Sequence, residues 1–229
     1  MKFFCYCTES YQVLVDQWLV PSFQDFGGIT VWESERVGPP VNYKEAGWYH
    51  IVAEKAECIL RAIRENRGEL IVFLDPDMQF FAPLEIILRG LMGQFDLLVA
   101  RDSPQGVMCS GFMVMRASIK TERLWTNIRD DIGKGRRDDQ DCLNRLLRGR
   151  IIPGSLSSRG FNRYLIRWGY LPPAFFSGGM LTGRLWSPGE TLEVPEVIVM
   201  HHANYTVGLN QKIAQLEYVR RLVDQRSRR

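Results

Sequence analysis

The chain has 229 residues, 45% hydrophobic and 24% charged, with a formal net charge of +3. That is enough apolar material for one substantial core, and the charge is too small to imply nucleic acid without a basic stripe interleaved with aromatics. Five cysteines without any C-x-x-C spacing argue against a zinc ribbon or a disulfide framework, and no run reaches the ~18 apolar residues that a bilayer span requires.

Taken in chain order, short apolar runs alternate with longer amphipathic segments. Lys2 to Cys7 reads as a strand that opens without the apolar stretch and cleavage site of a signal peptide, so a reduced, cytoplasmic protein is expected. Tyr11 to Phe23 reads as a helix and Ile29 to Trp32 as a second strand. Tyr49 to Asn66 places Val52, Ala56, Ile59, Leu60 and Ile63 at helical spacing and leads into the strand Leu70 to Leu74. Pro83 can start a short helix through Leu91, and Asp96 to Ala100 and Gly111 to Met115 read as further strands. Thr121 to Ile132 and Asp139 to Leu147 are helical, separated by Gly133-Lys134-Gly135. From Ile152 to Pro195 the density of Gly, Pro and aromatic residues breaks every period, and no element is assigned. Val197 to Met200 reads as the last strand and Leu209 to Val223 as a closing helix, with Ile213, Leu216, Val219 and Val223 inward. The expectation is a single α/β domain with a mostly parallel sheet flanked by helices. Its basic end (Arg220, Arg221, Arg226, Arg228, Arg229) reads first as a solvated helix terminus. Anionic lipid is the one membrane contact it would allow.

Chemistry concentrates at two places. Asp75-Pro76-Asp77 follows the uncharged run Leu70-Ile71-Val72-Phe73-Leu74, whose β-branched, unbroken apolar character is that of a strand buried on both faces. Ligands of open α/β sheets bind beyond the carboxyl ends of such strands. Residues i and i+2 of an extended chain point to one side, so the two carboxylates can share a divalent cation, magnesium, manganese or calcium in preference to zinc. The simpler reading is a turn in which each acid caps local amides. The second place is His201-His202-Ala203-Asn204, followed by Gly208 and Lys212 at the start of the last helix. Imidazole suits a manganese-like ion, and a glycine-led helix start with a lysine suits a diphosphate. Taken singly, a structural histidine and a solvated lysine are the commoner fates. With Asp75 and Asp77 they supply what a metal-diphosphate complex needs.

On these residues the chain resembles metal-dependent glycosyltransferases of the GT-A fold, in particular nucleotide-diphospho-sugar transferases of the glycogenin-like and plant xylosyltransferase-like retaining type. Four blocks carry the resemblance in family order: LIVFLDPDMQFFAPL, CSGFMVMRAS, DDQDCLNRLL and HHANYTVGLNQKIAQLE. It implies a donor half over residues 1–116 and an acceptor and catalytic half over 117–229, with a Rossmann-like sheet. Asp75, Asp77 and His202 would then be metal ligands, with Asp75 also on the ribose and His201 in reserve. Gly208 and Lys212 would hold diphosphate, Cys7, Thr8 and Tyr11 the nucleotide, and Lys55 donor phosphate or sugar. Thr8 departs from the acidic residue some relatives carry. Asp102, Ser110 and Gly111 would face the sugar, and Asp139 and Gln140 would serve catalysis. The resemblance implies a UDP-sugar donor, manganese or magnesium, retention, and an acceptor that is a glycan, a lipid-linked sugar or a protein. Without it, Lys55 is a surface lysine snorkelling beside Ile51 and Ile59, and Asp102 a turn residue. Trp168, Tyr170, Phe175, Phe176 and Trp186 can stack on an acceptor, though core packing is the commoner role. Two alternatives remain at this point: a haloacid-dehalogenase-type phosphotransferase, which also uses an Asp-x-Asp after a strand, and a module that binds nucleotide or glycan without turnover.

Overall fold

The computed structural model describes residues 1–25, 27–34, 41, 45, 47–135, 137–148, 159–161 and 164–228. The expected βαβαβ opening is present. Strands β1 (Lys2–Cys7), β2 (Ile29–Glu33) and β3 (Leu70–Leu74) run parallel in the spatial order β2-β1-β3, with α3 (Trp48–Glu65) leading into β3. Between β1 and β2 the chain forms a 3-10 turn (Glu9–Tyr11), α1 (Gln12–Leu14), a π turn (Val15–Leu19) and α2 (Val20–Ser22), where one regular helix was expected. Pro21 has no N–H to donate to the preceding turn, which accounts for the break.

β3 is central because both of its faces are apolar. Ile71 and Phe73 join Phe4 and Tyr6 of β1 beneath α3, α5 (Ile119–Ile132) and α6 (Asp139–Arg148). Val72 and Leu74 join Phe3 and Cys5 on the opposite face, under Val15, Leu19 and α4 (Glu85–Met92). This two-residue alternation between two buried layers is the signature of an interior strand. β5 (Leu97–Arg101) and β6 (Met108–Arg116) extend the sheet, with β6 antiparallel to both β3 and β5. β7 (Arg159–Phe161) and β8 (Arg167–Tyr170) complete the order β2-β1-β3-β6-β5-β8-β7. Because β8 is parallel to β5 and β7 antiparallel to β8, five of the seven strands point one way: β1, β2, β3, β5 and β8.

A second sheet of three strands places the site. β4 (Met78–Phe80) begins immediately after Asp77, and β10 (Met200–His202) lies between it and β9 (Phe175–Ser177), antiparallel to β4. Asp75-Pro76-Asp77 is therefore the link between the two sheets. The last strand is shifted from the expected Val197 to Met200: Val197 is 72% exposed, and the strand contains both histidines. In α7 (Gly208–Ser227), Leu216 and Val219 are buried as expected, whereas Ile213 and Val223 are half-buried and Gln215 is fully buried. Arg220 reaches Gln79 Oε1 at 2.9 Å and Arg226 the backbone oxygens of Val194 and Pro195 at 3.0 and 2.6 Å, so two of the basic residues are tied to the protein. Arg229 lies outside the described residues. No helix among the described residues is long and apolar enough to cross a membrane.

Candidate active site

The antiparallel register of β4 and β10 sets His202 opposite Met78 and donates Ala203 N to Asp77 O at 2.9 Å. Residues from the middle and the end of the chain thereby meet. One ligand atom each of Asp75, Asp77 and His202 lies within 4.8 Å of the others. His202 Nε2 is 3.1 Å from Asp77 Oδ1 and 4.0 Å from Asp75 Oδ2. Gly111, at the adjacent point of β6, leaves the room they occupy. A Cβ there would fall 2.5 Å from His202 Cε1 and 2.7 Å from Asp75 Oδ2, contacts that real Cβ atoms do not make.

The two acids are electrostatically unlike. Burial pushes the Asp77 carboxyl up, but Lys212 and His202 outweigh it and hold that carboxyl well below the usual range. Lys212 donates to Asp77 Oδ2 and, at 3.3 Å, to Ala203 O. For Asp75 burial prevails over the opposing Lys55 and His202 charges, and the carboxyl sits above its ordinary value. A carboxylate that its neighbours leave under-compensated, beside a second carboxylate and an imidazole, is a donor set suited to a divalent cation. The fit includes the imidazole's other nitrogen: His202 Nδ1 is 3.5 Å from Cys109 Sγ, which also accepts Gly111 N at 3.3 Å. Partners of this kind fix the orientation of a ligating histidine.

Lys55 is buried, not a surface lysine. Its Nζ lies 2.7 Å from Asp75 Oδ1 and 3.0 Å from Asp139 Oδ2. Burial works against its charge, but Asp139 and Asp75 dominate and keep the ammonium protonated far above its ordinary range. Its place on the apolar stripe of α3, four residues before Ile59, was the available signal: a lysine so placed must be paired if buried. Asp138 and Asp139 divide the two roles open to them. Asp138 Oδ1 caps α6 by accepting Asp141 N at 2.7 Å, and Asp139 turns inward to Lys55.

Asp102 is buried at the end of β5 and accepts Gln140 Nε2 at 2.8 Å, Ser177 Oγ at 3.3 Å and Asn204 Nδ2. Gln140 Oε1 in turn accepts Ser110 N at 3.1 Å. The Gln140 amide thus joins α6, β5 and β6. Asn144 adds a second clamp, exchanging hydrogen bonds at 2.9 Å with both Met108 N and Met108 O. Sequence reasoning missed Asn204, Ser177 and Asn144, because their role is defined only by partners distant in the chain.

A cavity of about 410 Å³ opens among these elements. Thr8, Tyr11, Lys55, Asp75, Asp77, Asp102, Ser110, Gly111, Asp139, Gln140, His202 and Lys212 all face it. Of the expected site residues, Cys7 and Gly208 do not line it. The Cys7 side chain packs in the core, and Gly208 begins α7 with a φ of 73°. His201 points away from the cavity, as alternation along β10 requires. Its Nδ1 meets Gln79 Nε2 at 3.1 Å and its Nε2 meets Gln215 Oε1 at 3.2 Å, and burial holds its pKa down to about 3, so it is a neutral structural residue. Trp168, Phe175, Phe176 and Trp186 are buried, and none of the five candidate acceptor aromatics lines the cavity.

Residues 29–216 match the family of nucleotide-diphospho-sugar transferases. No curated protein matches the chain in sequence. Among solved structures, a glycosyltransferase involved in the glycosylation of the major capsid of PBCV-1 superposes with a TM-score of 0.58 at 10% identity, covering 95% of this chain and 100% of that one. The bifunctional glycosyltransferase WbbM superposes with a TM-score of 0.52 at 10% identity, over 89% of this chain and 45% of WbbM. At such identities the superpositions speak to the fold, which is the α/β architecture of the GT-A type. The family match spans well over half of the sequence and displaces the haloacid-dehalogenase alternative; the chain belongs to the nucleotide-diphospho-sugar transferases, which are glycosyltransferases.

Proposed function

We propose that this protein transfers a hexose or pentose from a UDP-sugar, with manganese or magnesium bound by Asp75, Asp77 and His202, and that it works in the cytoplasm. The observation that carries the reading is the convergence of those three side chains, flanked by Lys55 and Lys212, in one cavity. In this reading Tyr11 and Thr8 take the nucleotide, the Lys212 ammonium faces the diphosphate, and Asp102, Ser110 and Gly111 receive the sugar. The cation, when bound, supplies a Lewis acid for diphosphate oxygens.

The reaction replaces the bond from the anomeric carbon to a diphosphate oxygen with a bond to an acceptor hydroxyl oxygen, whose proton leaves with the nucleoside diphosphate. Positive charge grows at the sugar as the diphosphate leaves. Asp139, held by Lys55, offers a fixed carboxylate to that charge. Gln140 Oε1 gives one lone pair to Ser110 N and retains the other. Preorganised groups of this kind stabilise a transition state without having to reorient. Retention is proposed from the resemblance to relatives that retain configuration.

Isothermal titration of UDP with and without manganese tests the reading. We expect manganese to tighten binding markedly and EDTA to reverse the gain. Equal affinity in both conditions, or binding in neither, contradicts it. Hydrolysis of a UDP-sugar panel then separates an enzyme from a module that only binds. The anomeric proton of the first product, followed by NMR, reads retention or inversion directly.

A further inference from the structure

We infer that the wall formed by Tyr205 and Leu185 is the acceptor subsite and that it takes a carbohydrate ring, an assignment that rests on the glycosyl-transfer reading above. Six of the charged groups of the cavity (Lys55, Asp75, Asp77, Asp139, His202, Lys212) come from α3, the end of β3, α6, β10 and α7. Another part of the rim is different in chemistry. Leu185 lines the cavity while 64% exposed, and the half-buried Tyr205 faces the same space. The rim borders the sugar-facing carboxylate directly, because Asn204, the neighbour of Tyr205, donates its amide to Asp102.

The wall is built with close tolerances. Tyr205 holds a left-handed backbone, φ 54°, which is uncommon outside glycine and asparagine and clusters at functional sites. Its carbonyl accepts Trp186 N at 2.7 Å, and its ring lies so near Gly179 that a Cβ there would stand 2.2 Å from Tyr205 Cδ2. Gly179 N donates to Asn204 Oδ1 at 3.1 Å. Gly183, at φ 62°, closes the same loop with its N–H on Gly179 O at 2.7 Å. Two loops are thus locked together in a way that fixes an aromatic ring toward the cavity beside an exposed aliphatic side chain. A sugar ring presents an apolar C–H face to such a surface and keeps its hydroxyls for Asp102 and the polar floor.

The test is saturation-transfer NMR and titration with a panel of methyl glycosides of hexoses and pentoses, run both with UDP and manganese and without them. We expect at least one glycoside to receive saturation on the C–H protons of one ring face. Tyr205→Asn removes the ring with a residue that tolerates the left-handed backbone and should weaken that glycoside by about tenfold. Tyr205→Trp should restore the binding. Leu185→Ser, at an exposed position, should weaken it severalfold without touching the fold. Affinity for UDP and manganese should stay unchanged in all three variants. Glycoside binding that survives both Tyr205→Asn and Leu185→Ser, or that is absent from the wild type in every condition, overturns the inference. Loss of metal-dependent UDP binding in the wild type instead removes the glycosyl-transfer reading. The glycoside arm is scored separately and distinguishes the two failures.

Discussion

The two walls of the cavity hold their side chains by different means. The wall made by β3, α3, α6, β10 and the start of α7 is electrostatic: its charges neutralise one another through Lys55 and Lys212. The wall made by residues 178–186 and 203–206 is steric, with glycines bringing two irregular loops within contact of Tyr205 and Asn204. The first wall should fail when a charge is removed and the second when volume is added.

Lys55→Met gives the largest expected effect. It leaves the buried Asp139, and the partly exposed Asp75, beside an apolar side chain, and breaking one partner of a buried pair typically costs about 3–5 kcal/mol. Urea unfolding should show a lower midpoint at unchanged slope; an unchanged midpoint would mean that the ion pair is not formed. Next comes Asp77→Asn, which keeps the shape but removes a charge from the proposed ligand set. Manganese affinity should fall by at least about 100-fold, beyond the loss typical of outer partners of a metal site, and UDP binding should lose its metal dependence. Calorimetry that finds wild-type manganese affinity would refute the ligand assignment.

Gly111→Ala adds volume to the electrostatic wall, where the new Cβ would displace the His202 ring and the Asp75 carboxylate from each other's reach. Overpacking of this kind costs about 1–3 kcal/mol and here should also weaken manganese binding. The matching change on the steric wall is Gly179→Ala. The Tyr205 ring it meets would have to shift, so the change should cost about 1–3 kcal/mol and weaken glycoside binding while leaving manganese binding intact. Should the two alanine variants lose the same function, the division between the walls is wrong.

The smallest effect concerns Glu54, behind the electrostatic wall. Burial pushes its carboxyl up, but hydrogen bonds from Ser34 and Tyr6 and the neighbouring His50 outweigh that and lower it. A lowered folded-state pKa means stability that is present above the unfolded value of about 4.3 and is lost as pH falls through the folded one. With 27% of its side chain exposed, the contribution should be below about 1 kcal/mol. Glu54→Gln should flatten the acid limb of a stability-against-pH curve below about pH 4.3, leaving the neutral region unaltered.

The parts of this protein that sequence determines are those governed by local periodicity and backbone geometry. The unbroken apolar run from Leu70 identified the central strand, and the spacing from Val52 to Ile63 identified α3 with its buried face. The pair Asp75 and Asp77 at the carboxyl end of that strand was legible too, although the two acids sit in a bend between β3 and β4, where the pleat of a strand does not by itself bring them together. What tertiary structure alone decided depends on register between distant segments. Nothing in His201-His202 says which imidazole faces the acids; the pairing of Met200–His202 with Met78–Phe80 selects His202 and gives His201 to Gln79 and Gln215. The same holds for Lys55, whose charge survives burial only because Asp75 and Asp139 arrive from two other elements. It holds again for Tyr205, which reaches the cavity because two glycines let separate loops touch. Period and propensity act over a few neighbouring residues, whereas pairing register, ion-pair partners and close backbone approach are fixed by contacts between segments far apart in the chain.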